Sequence, residues 1–328
     1  MYFKIIHVVI VSVGLIGAVT AQESQSTSQA APSSEQSQSK GELREAEIVK
    51  RYPAPGRMVD VGGRRLHILC KGPEQGKTFI IEGGAFASSY MYWKAQDEIA
   101  KLAHVCTYDR VGLGWSDSAP LPRSLESRID DLHALLRNSG LKGPFVLAGH
   151  SMGGMLVRMY AHKYPADVAG LILVEPSSER VNATEEAQKR SAQSAAQIGM
   201  AFPVLAAGGV IQQLKIPNGP PEQEIIQRQS VFRAGQDEQI AMSHLSSELQ
   251  KFGELGSLGD TPLIVIMRGK RDPGMTEARE KEWAESHNWL ATLSTKSTLI
   301  VAESSGHMVN LDQPDLFRDA ARQLLEKL

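Results

Sequence analysis

The pentapeptide Gly149-His150-Ser151-Met152-Gly153 constrains this chain more than any other segment, because an apolar run from Pro144 to Ala148 leads into it and a helix-like run from Gly154 to Tyr164 leads out. G-x-S-x-G arises by chance in many chains, but a strand before it and a helix after it make a nucleophile elbow. A strand that reverses sharply into a helix forces the serine into a strained backbone conformation, and small residues are required where helix and strand nearly touch. Gly149, Gly153 and Gly154 supply them. The turn lifts the Ser151 hydroxyl clear of the sheet and aims the Met152 amide, at a helix N-terminus, into the same space. A nucleophile and half of an oxyanion hole come together there.

An acyl-transfer serine needs a base, and the base needs an orienting carboxylate; after a nucleophile elbow the acid comes first along the chain and the histidine second. Of the nine histidines, only His307 falls in a loop, Glu303-Ser304-Ser305-Gly306-His307, directly after a strand-like run near the C-terminus. His307 is the expected base. His67 and His104 fall in strand-like runs, His133 and His162 on helix-like ones, and His150 is expected to pack beneath the elbow. Asp272 ends the apolar run that begins at Pro262 and is the expected acid. Glu175 closes the preceding run, Gly170 to Val174, and competes with it for the same role.

With those segments in view, the chain resembles the α/β-hydrolase superfamily from about Met58 to its C-terminus. Ile80-Ile81-Glu82-Gly83-Gly84 resembles the strand and oxyanion loop, Tyr108-Asp109-Arg110-Val111-Gly112-Leu113-Gly114-Trp115-Ser116 resembles the D-R-x-G-x-G-x-S segment, and the elbow and the Gly306-His307 loop complete the set. The resemblance implies an α/β fold with an eight-stranded, mostly parallel sheet flanked by helices and a helical cap inserted after the sixth strand. Transferred by position, the second oxyanion donor is the backbone amide of Gly84, with a shift to Ala85 left open. One departure stands out: many relatives carry His-Gly where this chain has Glu82-Gly83. A backbone donor tolerates that change.

Serine at the elbow, rather than the aspartate of relatives that form alkyl esters, implies an acyl-enzyme. His307 would take the Ser151 proton during attack and return it to the leaving alcohol, with the acid fixing its tautomer. That chemistry needs no cofactor and no metal, and the chain lacks H-E-x-x-H, paired C-x-x-C and P-loop patterns. The expected activity is hydrolysis of carboxylic esters of small, largely apolar molecules. The same triad could serve an acyltransferase, thioesterase, amidase or perhydrolase, and some relatives on this fold are noncatalytic ligand-binding proteins. Lys plus Arg at 35 against Asp plus Glu at 37 gives a near-neutral chain without a basic run, so no nucleic acid is expected, and no obligate protein partner is evident.

The domain reading begins with a leader at residues 1–21, where Lys4 precedes an apolar stretch and Val19-Thr20-Ala21 suits signal-peptidase cleavage. Export is expected, with membrane association only if that segment stays uncleaved as an anchor. Residues 22–42, mostly serine and glutamine, are expected to form a disordered spacer. Residues 43–176 and 261–328 form the two parts of the core. Residues 177–260 are too many for a structureless loop and are expected to form the cap over the serine. Its Met200-Ala201-Phe202-Pro203-Val204-Leu205 stretch, together with Phe86 and Tyr90 beside the oxyanion loop, supplies candidate apolar walls for substrate.

The only two cysteines, Cys70 and Cys106, fall at the ends of the second and fourth strand-like runs. In the α/β-hydrolase order those strands are neighbours. A disulfide between them is therefore expected in an exported chain.

Overall fold

The computed structural model describes residues 34–207, 221–272 and 274–328. The leader at 1–21, the spacer to residue 33 and residues 208–220 of the expected cap lie outside the described residues.

Runs of β-branched and aliphatic residues bounded by glycine, proline and polar turns fold into eight strands: β1 Arg57–Asp60, β2 Arg65–Lys71, β3 Thr78–Glu82, β4 His104–Tyr108, β5 Phe145–His150, β6 Val168–Val174, β7 Leu263–Arg268 and β8 Ser297–Ala302. They form one sheet in the order β1-β2-β4-β3-β5-β6-β7-β8. Only β2 runs against the others, because it pairs antiparallel with both β1 and β4 while every remaining pairing is parallel. This is the eight-stranded, mostly parallel sheet expected from the sequence.

Helices cover both faces, so the central strands are buried on both sides and read as continuous apolar runs. Leu147, Leu171, Leu173 and Val265 point to one face and pack with residues of the helices α3, Leu125–Asn138, and α4, Met152–Lys163. Their neighbours Val146, Ala148, Ile172, Val174, Ile264 and Ile266 point to the other face, against α2, Trp93–Ile99, and α11, Pro314–Leu325. The helix α3 shows the local logic well. Ser124 caps it by accepting from the Ser127 amide at 3.1 Å, and Leu125, Ile129, Leu132, Leu135 and Leu136 line its buried side.

Helices also occupy much of the described part of the long interval between β6 and β7: α5 Glu179–Asn182, α6 Glu185–Ala207, α7 Gln229–Ser243 and α8 Leu245–Phe252. Phe202 of α6 packs its ring 4.7 Å from that of Phe232 of α7, whereas Met200 points into solvent. The helix α9, Glu277–Leu290, and the short α10, Val309–Asp312, complete the chain after β7 and β8.

The start of the chain differs from expectation. The helix α1 spans Ser34–Arg51 and so begins inside the segment expected to be disordered through residue 42. Its C-terminal half is rich in helix formers, buries Ile48, and places the Glu45 carboxylate 2.6 Å from the Ser230 amide at the N-terminus of α7. Both docked residues fall in the segment from residue 43 onward that the sequence assigns to the core.

Cys70 of β2 and Cys106 of β4 are direct cross-strand partners and are joined by a disulfide. The expectation rested on neighbouring strands, and the antiparallel register supplies the pairing itself.

Candidate active site

The C-terminal ends of β3, β5, β6, β7 and β8 open onto one edge of the sheet, the place where parallel sheets bind ligands. Among the described residues, three non-glycine residues have positive φ: Phe86 at 63°, Ser151 at 54° and Glu175 at 47°. They follow β3, β5 and β6, which are adjacent in the sheet. Strained backbone of this kind persists where the surroundings overdetermine it, and it clusters at functional sites.

Ser151 sits between β5 and α4 with φ 54° and ψ −122°. Its amide donates to the Val174 carbonyl at 3.0 Å, and its own carbonyl accepts from the Gly154 and Ser177 amides at 3.0 and 2.8 Å. The elbow is thus fastened to the strand beside it. A Cβ on Gly153 would lie 2.3 Å from the Glu82 carbonyl oxygen, and one on Gly149 would lie 2.4 Å from that of Gly153. The glycines expected from the sequence are sterically required.

His307 lies in the loop after β8. Its Nδ1 is 3.2 Å from Glu175 Oε2. Asp272, expected as the acid, does not take that place: its Oδ1 accepts from the His307 backbone amide at 3.2 Å. The reason is local. Glu175 directly follows the last residue of β6 and its amide still bonds across the sheet to the Ile266 carbonyl at 2.8 Å, so a positive φ and a long side chain carry its carboxylate beneath the imidazole. Asp272 stands four residues past the end of β7, partly exposed, where its shorter side chain accepts from the His307 amide through Oδ1 and lies 3.7 Å from Arg268 Nη1 through Oδ2.

Glu175 is fully buried and surrounded by donors. The Arg268 amide reaches Oε1 at 2.7 Å, Trp283 Nε1 reaches Oε2 at 3.0 Å, the Arg268 guanidinium bonds to the same oxygen, and His287 Nε2 lies 3.5 Å from Oε1. Burial alone would raise its pKa, but the bond to His307 and the charges of His307, His287 and Arg268 bring it down to about 2. The carboxylate therefore stays ionised at every pH where an imidazole can act as a base.

His150 packs beneath the elbow as expected, and it ties the site together. Its Nε2 donates to the His307 carbonyl at 2.9 Å, which leaves Nδ1 as the acceptor for the Tyr92 hydroxyl, also at 2.9 Å. The Tyr92 oxygen in turn accepts from the Gly84 amide at 2.8 Å. Burial and the neighbouring His307 lower the His150 pKa to about 3, so the ring stays neutral and this donor order is self-consistent. The bond to Tyr92 also corrects an expectation. The Gly84 amide is engaged by a side chain rising from the 3₁₀ turn at Ser89–Tyr92 and does not face the nucleophile as a spare donor.

Glu82, the departure at the oxyanion loop, is buried and bonds to Arg110 Nη1 at 2.6 Å and to the Tyr108 hydroxyl. Phe86 is half-buried against α7, and Tyr90 is buried in the core face that contains Tyr92 and Ile81. Tyr92, Arg110, Glu238, Arg268, Trp283 and His287 were not identified from the sequence. Only Arg110 carried a signal, as the arginine of the D-R-x-G-x-G-x-S segment.

Residues 77–197 match the family model described as the alpha/beta hydrolase fold. The uncharacterized protein YqjL of Bacillus subtilis is 24% identical over 256 residues, covering 78% of this chain and 86% of its own. A thermophilic esterase from Thermogutta terrifontis superposes with a TM-score of 0.60 at 22% identity, over 83% of this chain and 98% of that one. The enol-lactonase of Burkholderia xenovorans LB400 does so with a TM-score of 0.57 at 16% identity, over 82% and 100%. Several other curated relatives match over 31% to 40% of this chain and only 18% to 41% of their own lengths. The sheet order, the elbow and this match together give the chain the α/β-hydrolase fold.

Proposed function

We propose that the protein is a serine hydrolase that cleaves carboxylic esters through an acyl-enzyme, with Ser151 as nucleophile, His307 as base and Glu175 as the orienting acid. The observation that carries this reading is the 3.2 Å contact between His307 Nδ1 and the ionised Glu175, beside a serine held at positive φ. Ser151 Oγ attacks the ester carbonyl carbon and its proton passes to His307 Nε2. The Met152 amide and, in place of Gly84, the Ala85 amide receive the oxyanion. Collapse of the tetrahedral intermediate breaks the bond to the leaving alkoxide, which takes the proton from His307. Water then repeats the sequence on the acyl-enzyme and regenerates Ser151.

Small, largely apolar esters are the proposed substrate class, with Phe86 and Tyr90 as candidate walls and the helices between β6 and β7 as the cap. No described helix is long and apolar enough to cross a membrane. Export is proposed from the N-terminal leader, and the Cys70–Cys106 bond supports an oxidising compartment. A screen of p-nitrophenyl esters from acetate to long acyl chains tests the reading: turnover of the short esters is expected, and no turnover across the series would contradict it.

A further inference from the structure

The loop that follows β3 is gripped from below by one guanidinium. Arg110 Nη1 donates to the Gly83 carbonyl at 2.7 Å and to Glu82 at 2.6 Å, and Nη2 donates to the Gly84 carbonyl at 2.6 Å. Its Nε donates to Glu238 Oε1 at 2.7 Å. The other oxygen of Glu238 accepts from the Phe86 amide at 2.7 Å. Arg110, Glu82 and Glu238 are all nearly inaccessible to solvent. Burial opposes the Arg110 charge, but Glu238 and Glu82 outweigh it and raise its pKa further.

The geometry of a trans peptide gives this grip a consequence. In a planar trans unit the C=O and N–H point in opposite directions. The Gly84 carbonyl shares its unit with the Ala85 amide, so holding that carbonyl toward Arg110 turns the Ala85 N–H the other way. The Gly83 carbonyl shares its unit with the Gly84 amide, which is correspondingly turned to Tyr92. The loop lies against the nucleophile, since a Cβ on Gly84 would come within 3.1 Å of the Ser151 Cβ. Glu238 belongs to α7, outside the sheet and its covering helices. That helix also presses on the loop through Gly235, where a Cβ would fall 1.9 Å from the Phe86 ring.

We propose that Arg110 and Glu238 are positioning residues for acyl transfer, and that the helix α7 sets the oxyanion hole: Glu238 fixes Arg110 and the Phe86 amide, and Arg110 fixes the two carbonyls whose peptide units carry the Gly84 and Ala85 amides. The proposal rests on the serine-hydrolase reading above. It also accounts for Glu82, which supplies the second carboxylate for Arg110 where many relatives have histidine. Substrate contact is not needed for this role, because both side chains act through the loop backbone.

Glu238→Gln keeps the volume but cannot accept both N–H bonds while its amide N–H₂ faces one of them. The experiment compares wild type, Glu238→Gln and Glu238→Asp on p-nitrophenyl acetate and on the matching thionoacetate, in which sulfur replaces the carbonyl oxygen. Rates are normalised to the burst of p-nitrophenolate, so only folded, acylating enzyme is counted. A misplaced donor hurts an oxyanion more than the larger, weakly accepting thiolate. Glu238→Gln is expected to lower kcat on the oxoester roughly 10- to 100-fold with KM within about 3-fold, less than the 10²–10³ loss for deleting a donor outright. The oxo-to-thiono rate ratio is expected to shrink by at least about 10-fold. Glu238→Asp, which keeps the charge, is expected to fall between the two. A ratio equal to wild type in both variants would overturn the positioning role, even if total activity dropped through poorer folding. Failure of a fluorophosphonate to label Ser151 in wild type would instead overturn the serine-hydrolase reading, and this proposal with it.

Discussion

Glu175 Oε2 lies 3.2 Å from His307 Nδ1, reaching past β7 from the end of β6 to the loop after β8. With that carboxylate just past the end of β6, the loop after β7 holds the histidine main chain instead, through the bond from the His307 amide to Asp272. Two carboxylates thus serve one histidine in different ways. Glu175 fixes the ring, and Asp272 fixes the backbone that carries it.

The division predicts opposite outcomes for two conservative substitutions. Glu175→Gln is expected to lower kcat by roughly 10⁴, the scale seen when a triad acid becomes an amide and favours the wrong imidazole tautomer. Arg268 loses the Glu175 carboxylate but keeps its two bonds to Glu280, so the stability cost is expected to be about 1.5–3 kcal/mol. Asp272→Asn keeps an oxygen able to accept from the His307 amide, so kcat should stay within about 10-fold of wild type. Kinetics on titrated active sites, with thermal melts alongside, check both; the reverse pattern would return the acid to Asp272.

Acid stability follows from His150. Its folded pKa of about 3 lies below the unfolded imidazole value of about 6.5, so at low pH the unfolded chain binds a proton that the folded one refuses. The stabilising effect of the neutral ring is complete above about pH 6.5 and is lost as pH falls toward 3. Each pH unit inside that window costs at most about 1.4 kcal/mol from this group. Glu175 adds a second loss only below about pH 4.3, because its folded value is about 2. The difference in unfolding free energy between wild type and His150→Gln, followed by urea denaturation from pH 7 to 4, should change in favour of the variant as pH falls. A difference independent of pH would contradict a buried neutral His150.

The disulfide closes a segment with a sequence separation of 36, which holds β3, the oxyanion loop and α2. For a loop of that size the chain-entropy model assigns about 3–4 kcal/mol. Reduction is expected to lower the Tm by several degrees while Ser151 remains reactive toward a fluorophosphonate. Thiol titration of the denatured, unreduced protein should find no free thiol among the two cysteines; two thiols per chain would refute the bond.

Periodicity and glycine placement made much of the fold legible, since central strands such as β6 and β7 are almost wholly apolar runs and a Cβ on Gly153 would fall 2.3 Å from the Glu82 carbonyl oxygen. The placement of Ser151 and His307 was readable because each sits in a segment that follows a strand directly. Which carboxylate faces the His307 ring was not readable in the same way. Asp272 and Glu175 both close apolar runs, and the choice between them depends on a positive φ at Glu175 and one extra methylene, neither of which spacing reveals. The oxyanion donor was obscured for a related reason, because Tyr92 reaches the Gly84 amide from a turn that no motif marks. Glu238 was hidden most thoroughly: a glutamate on an amphipathic helix reads as solvated until α7 is seen to bury it against Arg110.

The central claim is that Ser151 is an activated nucleophile, and covalent labelling tests it most directly. Incubation with a fluorophosphonate, intact-mass analysis and peptide mapping should show one phosphonyl group per chain, on Ser151 alone. Ser151→Ala should take no label and lose ester turnover by roughly 10⁴ to 10⁶. A wild-type protein that stays unlabelled, or an alanine variant that still hydrolyses p-nitrophenyl acetate at the wild-type rate, would contradict the account.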